Sequence, residues 1–157
     1  MRLSKQTNYA VRTLVYCAVH APELSRVADI AKVFGISDMF LFKIIFPITK
    51  NGFLETVRGR RGGIRLARPP EDINLLDVMR FTEDGFELSE CFGHERETCP
   101  FRDRCAYTRA LDRALEAFFS VLSEYTIADL VSNPHMLESA LGIDALEKGR
   151  GLVRQGY

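Results

Sequence analysis

Residues 25–66 read SRVADIAKVFGISDMFLFKIIFPITKNGFLETVRGRRGGIRL, and the order of breaks in this stretch decides the fold. Ser25 is placed to cap a short helix from Arg26 to about Val33, with Val27, Ile30 and Ala31 turned inward. Phe34-Gly35-Ile36 interrupts the period, and the glycine tolerates the left-handed backbone of a tight corner. Ser37 then caps a second helix running to about Lys50, with Leu41, Ile44 and Ile45 on its inner side. Small Ala31 and Gly35 beside apolar Ile36 and Leu41 let two helices pack at a steep angle, as in a helix-turn-helix. Phe53–Val57 alternates as a strand, Gly59-Arg60-Arg61-Gly62-Gly63 turns, and Ile64–Leu66 returns. A hairpin directly after the second helix makes a wing.

Upstream, Ser4 can cap a helix to about His20, with Val11, Leu14, Val15 and Ala18 at core spacing, and Ala21-Pro22-Glu23 ends it. A net charge of zero hides an asymmetry. Residues 1–70 carry 12 Lys+Arg against 4 Asp+Glu, and residues 71–157 carry 9 against 17. The basic half suits double-stranded DNA, with scattered surface charge as the plain alternative. Arg58, Arg60 and Arg61 crowd the wing tip, where phosphates or a minor groove are met. The wing turn lacks the order of a nucleotide-binding loop and no helix follows it. In the helix after Gly35, Ser37, Met39, Phe40 and Lys43 fall in the first two turns, which reach base edges in such folds. Lys43 and Lys50 suit phosphates, and Arg2 and Lys5 add contacts from the first helix. Phe40 and Phe42 are open: an aromatic at this spacing belongs to a core, or, if exposed, meets thymine methyls.

Downstream, Asn74 caps a helix over 75–80. From about Arg104 a long helix carries Tyr107, Leu111, Leu115, Phe118 and Leu122 on one stripe, with Ala106, Ala110, Ala114 and Ala117 permitting close approach. That stripe either packs on its own chain or pairs across a two-fold axis, which would suit a pseudo-palindromic operator. Thr126 and Asp129 start a short helix over 127–132. The fold class read here is mainly α with a small β-hairpin wing. A winged helix-turn-helix occupies 1–68, a cysteine loop and dimerisation helices 69–146, and a flexible tail 147–157. No apolar run approaches the roughly 20 residues of a membrane helix. Cysteines without a secretory signal point to a reducing cytoplasm.

Between the two halves lies SECFGHERETCPFRDRC, which holds Cys91, Cys99 and Cys105 as C-x₇-C-x₅-C. Thiolates so grouped suit an iron–sulfur centre. Structural zinc prefers tighter C-x₂₋₄-C pairs and four ligands, although Cys₃His with His94 is conceivable. A disulfide does not suit a reducing compartment. His94 is the candidate fourth ligand, with Glu90, Glu95, Glu97 and Asp103 nearby in sequence. Water or a small thiol there would leave one iron exchangeable. Cys17, on the apolar face of the first helix, reads as a buried thiol.

MRLSKQTNYAVR, GISDMFLFKII, VRGRRGGIRLAR and the three cysteines together resemble the bacterial winged-helix iron–sulfur regulators of the IscR, NsrR and RirA group. KQTNYAVR, FLFKI, ETVRGR, RFTED and the cysteine spacing are most similar to its rhizobial iron-regulator branch, RirA. The resemblance implies a homodimeric transcription factor whose Cys91, Cys99 and Cys105 hold an iron–sulfur cluster, of the 4Fe–4S type. It places Ser37, Met39, Phe40 and Arg58 at DNA, and it implies repression of iron-uptake genes when iron is plentiful. Three positions depart from relatives. A ligand histidine becomes Thr108, a ligand aspartate from the first helix becomes Asn8, and a recognition-helix glutamate becomes Phe42. A nitric-oxide or redox sensor on the same scaffold is the alternative, and an iron–sulfur electron carrier the alternative of another class. No acid–base or nucleophile set suggests an enzyme.

Overall fold

Ser4 opens the first helix as its position predicts. Its hydroxyl accepts the Thr7 backbone N–H at 3.1 Å, satisfying a donor that the first helical turn cannot. A computed structural model describes residues 2–89, 92, 99–101 and 105–143. Helix α1 spans Lys5–Val19, α2 Val27–Phe34 and α3 Asp38–Lys50. Gly35 ends α2 in the left-handed region at φ 63°, the conformation that the corner required of it. Ser37 caps α3 by accepting the Phe40 N–H at 3.2 Å. Leu41, Ile44, Ile45 and Ile48 form the buried side of α3. Pro47 lies inside this helix and withholds one backbone donor, yet α3 continues to Lys50.

Strands β1 (Leu54–Val57) and β2 (Gly63–Leu66) pair antiparallel, with Leu54 opposite Leu66 and Thr56 opposite Ile64. Ser25 departs from its predicted role. Arg26 is the N-cap of α2 and makes no side-chain cap bond. Ser25 is instead fully buried and bridges to Ile64, donating to its carbonyl at 2.9 Å and accepting its N–H at 2.8 Å. The backbone groups of Ser25 are committed to the hairpin, so the residue lies one position too early to cap. The tight hairpin turn explains Gly62, and the close approach to Ser25 explains Gly63. A Cβ on Gly62 would stand 2.3 Å from the Val57 carbonyl oxygen, and one on Gly63 would stand 2.6 Å from that of Ser25.

After a 3₁₀ turn at Pro70–Asp72, α4 spans Leu75–Thr82, α5 Ala106–Ser123, α6 Ile127–Leu130 and α7 Pro134–Leu141. Asn74 caps α4 as expected, and Thr126 with Asp129 forms a full capping box on α6. Helix α7 is additional to the elements expected from sequence, and Asn133, Pro134 and Gly142 are its cap, first-turn proline and left-handed terminator. Ile73, Val78, Ile127 and Ile143 belong to the same buried cluster as Leu14, Ile30, Ile44 and Phe53, so the core runs across the Pro69-Pro70 junction. Thr82 and Thr7 share a hydroxyl hydrogen bond at 2.8 Å, and the Ser4 N–H donates to Glu83 at 2.7 Å. The C-terminal end of α4 is thereby tied to the start of α1.

Helix α5 stands apart. It packs on α4, and Phe119 meets Phe86 edge-on at 4.9 Å, but Thr108 is its one buried residue. Tyr107 is 60% exposed, and Leu111, Leu115, Phe118 and Leu122 are half-buried. The expected start near Arg104 and the tail at 147–157 lie outside the described residues.

The Gly63 contact gives a stability test. Gly63→Ala should push the hairpin off Ser25 and cost about 1–3 kcal/mol, the usual range for overpacking. Urea unfolding of the two proteins measures this, and an unchanged midpoint would contradict the close approach.

Candidate nucleic-acid interface and cysteine centre

The outer side of α3 and the wing form one surface. Ser37, Asp38, Met39, Lys43 and Lys50 are exposed along α3, and Arg58, Arg60 and Arg61 are exposed at the hairpin tip. Among the described residues, none of Lys43, Lys50, Arg58, Arg60 and Arg61 is held in an ion pair. Other cations of the basic half are engaged: Arg65 with Glu55, Arg68 over Phe53 and Arg12 over Tyr9. The free set can therefore meet an external polyanion. Ser37 is exposed while it caps α3. Phe40 is half-buried, its ring 5.7 Å from that of Tyr9, so packing claims part of it. Phe42 and Phe46 face outward, 55% and 72% exposed. Phe46 was missed in sequence, although its spacing from Phe42 puts it on the same side of a helix. Between α3 and the wing lies a groove of about 590 Å³, lined by Arg26, Phe42, Phe46, Lys50, Thr56 and Ile64 among others. Arg2 and Lys5 are exposed at the far end of α1, about 22 Å of helix from the Ser25 bridge.

Of the predicted metal ligands, Cys99 and Cys105 are described and both are half-buried. Cys91 and His94 lie outside the described residues, as do Glu90, Glu95, Glu97 and Asp103. Cys105 is the N-cap of α5. Its thiol is held below the ordinary value, first by the Thr108 hydroxyl, then by the Thr108 backbone N–H, with Tyr107 N–H and Arg109 adding to it. Thr108, at the position of the relatives' histidine, therefore bonds to the sulfur from a buried site. Two accessible thiols, one activated at a helix N-terminus, are donor chemistry that fits an iron–sulfur group. Asn8 is remote from them. Its amide donates to the Ser4 carbonyl at 3.1 Å, and it lines a groove with Phe118 and Leu122 near the other end of α5. That is about 20 Å of helix from Cys105, too far to meet it within one chain. Cys17 is buried as expected, and burial pushes its thiol up to about 12.

A helix-turn-helix followed by a basic hairpin defines a winged-helix DNA-binding transcriptional regulator. Residues 3–133 match the Rrf2 family, described as "Iron-dependent Transcriptional regulator", and the chain belongs to that family. It is 51% identical over 144 residues to "Protein aau3" of Rhizobium meliloti strain 1021, covering 92% of this chain and 94% of that one. It is 42% identical over 134 residues to the "HTH-type transcriptional regulator NsrR" of Bacillus subtilis strain 168, covering 85% and 92%. Two solved structures share the fold at 24% identity. T. potens IscR superposes with a TM-score of 0.68 over 85% of this chain and 88% of that one, and Staphylococcus aureus CymR with 0.67 over 81% and 95%. The family is one of transcriptional regulators rather than enzymes. Among the described residues no helix is long and apolar enough to cross a membrane.

The two thiol environments predict opposite reactivity. At about pH 8, iodoacetamide should label Cys105 of the metal-free folded protein faster than an unstructured cysteine, since its thiolate form is favoured. Cys17, protonated there and buried, should react only once denaturant is added. Peptide mass spectrometry over time measures both, and labelling of the two at one rate would contradict the assignment.

Proposed function

We propose that this regulator represses iron-uptake genes, and that its operator affinity is set by a 4Fe–4S cluster held by Cys91, Cys99 and Cys105. The observation that carries this reading is Cys105 at the start of α5, its sulfur hydrogen-bonded and its thiolate favoured. The description of the family as iron-dependent supports iron as the signal. When bound, the cluster would supply an iron centre whose occupancy follows iron availability. The chain does the rest. Cys105 would anchor the cluster at the first turn of α5. Helix α5 packs on α4, and the Thr82–Thr7 and Glu83–Ser4 bonds tie α4 to α1. Order at the cysteines is thereby coupled to the helices beneath the reader, so loss of the ligands loosens the DNA-binding form.

Ser37, Met39, Phe40 and Lys43 enter the major groove in this reading. Lys50, Arg58, Arg60 and Arg61 hold phosphates, and Arg2 and Lys5 add contacts from α1. The DNA-reading region is 1–68 and the sensing and dimerisation region 69–146, built on a shared core. A second copy covers the half-buried stripe of α5, with Ala110, Ala114 and Ala117 allowing close approach. The dimer then spans two half-sites about 10–10.5 bp apart.

Protein purified without oxygen should show visible iron–sulfur absorption together with bound iron and sulfide. Cys99→Ser should lose both, and it should bind a duplex selected from a random-sequence library about tenfold or more weakly at fixed salt. Equal binding by the two proteins would overturn the switch. Arg58→Ala should weaken binding to all sequences alike and lower the slope of log affinity against log salt by about 1, the loss of one phosphate contact. An unchanged slope would remove Arg58 from the interface.

A further inference from the structure

The inner side of α3 is complete without Met39, Phe42 and Phe46. Leu41, Ile44, Ile45 and Ile48 are each at most 5% exposed, and Phe40 packs against the same core. Even so, Met39, Phe42 and Phe46 are 74%, 55% and 72% exposed. Steps of three and four put them on one side of the helix, where Phe42 and Phe46 also line the groove against the wing. Large apolar groups displayed together on a surface mark something to be covered.

The charges around them say what covers it. Arg26 and Lys50 line the groove, Lys43 flanks it on α3, and Arg58, Arg60 and Arg61 stand at the wing tip. Asp38 is the single acid of α3, and the carboxylate of Glu55 on β1 is taken by Arg65. An apolar strip in a cationic frame suits the floor of a DNA groove better than a protein partner of mixed charge.

The residues that α3 lacks narrow the partner further. Asp38–Lys50 contains no Arg, Asn, Gln or Glu. The arginine contact to guanine and the amide contact to adenine are therefore unavailable to it, and polar base reading along α3 falls to Lys43 and Asp38 alone. Thymine is the base that presents an apolar group there, its C5-methyl. We infer that Met39, Phe42 and Phe46 form an apolar reading edge, and that α3 selects its operator by burying thymine methyls while the surrounding cations hold phosphates. This deepens the proposed DNA-binding reading and rests on α3 lying in the major groove.

Uracil in place of thymine removes the methyl and keeps every hydrogen-bonding group, so the test leaves the folded protein unaltered. A duplex selected from a random-sequence library by the cluster-loaded protein is resynthesised with uracil at each thymine in turn. Uracil at one or more positions of each half-site should weaken wild-type binding by roughly fourfold per methyl. Phe42→Ala with Phe46→Ala should bind the thymine duplex more weakly and lose its sensitivity to uracil. Wild-type affinity unchanged by every uracil would overturn the inference, as would equal sensitivity in wild type and the double variant. Lys43→Ala in the same assay separates the two levels. If it weakens binding while uracil does not, the DNA-binding reading stands and the methyl reading falls. If it leaves both affinity and salt slope unchanged, α3 is not in the groove and both fall.

Discussion

Two backbone hydrogen bonds between Ser25 and Ile64, at 2.9 and 2.8 Å, fix the wing to the helix-turn-helix. A two-stranded hairpin is marginal in water by itself, and this one gains a third partner through that bridge. Ser25 and Ile64 are both buried, so the bonds are shielded from competing water. Gly63 makes the approach possible, because a Cβ there would strike the Ser25 carbonyl oxygen, while Gly62 lets the hairpin turn close against the Val57 carbonyl. The bridge also joins the residue before α2 to the strand after the arginine-rich turn. It therefore sets where Arg58, Arg60 and Arg61 lie relative to α3, and with them the shape of the proposed DNA surface.

The cysteine centre obeys a different constraint. Cys105 takes its character from being the last residue before a helix, where the free N–H groups of the first turn and the Thr108 hydroxyl stabilise a thiolate. Helix α5 is otherwise poorly covered within the chain. A long helix with a half-buried apolar stripe and an activated thiol at its start is suited to move between two states, since few contacts must be broken. The helices of the winged region, by comparison, each bury one side in the shared core. That contrast suits the proposed division between a firm reader and an adjustable input.

Much of this was legible beforehand because local signals govern it. Ser4, Ser37, Asn74 and Thr126 cap helices where they stand. Gly35 takes the left-handed backbone that the corner needs, and the alternation of Leu54–Val57 and Gly63–Leu66 gives the hairpin. Ser25 failed for an instructive reason. A serine before an apolar run looks like a cap, and nothing local reveals that a strand forty residues on will claim its backbone. Phe40 and Phe42 were ambiguous for the same reason, and Phe46 went unremarked, since an aromatic at helical spacing looks alike whether it faces inward or out. Helix α7 was missed despite its Asn133, Pro134 and Gly142 signals, being short and close to a polar tail.

Sequence alone determined the order of helices and hairpin through α6, the capped starts of α1, α3, α4 and α6, the crowding of positive charge before residue 70 and the grouping of three cysteines. Each depends on residue type and spacing over a few positions. Only the tertiary structure decided that Ser25 belongs to the wing, that α4, α6 and Ile143 share the core of the reader, and that Thr108 points at sulfur. It alone decided that Phe42 and Phe46 stand exposed beside free cations and that Asn8 lies a helix length from Cys105. These are relations between residues far apart in the chain, fixed by which surfaces bury together, and no local pattern encodes them.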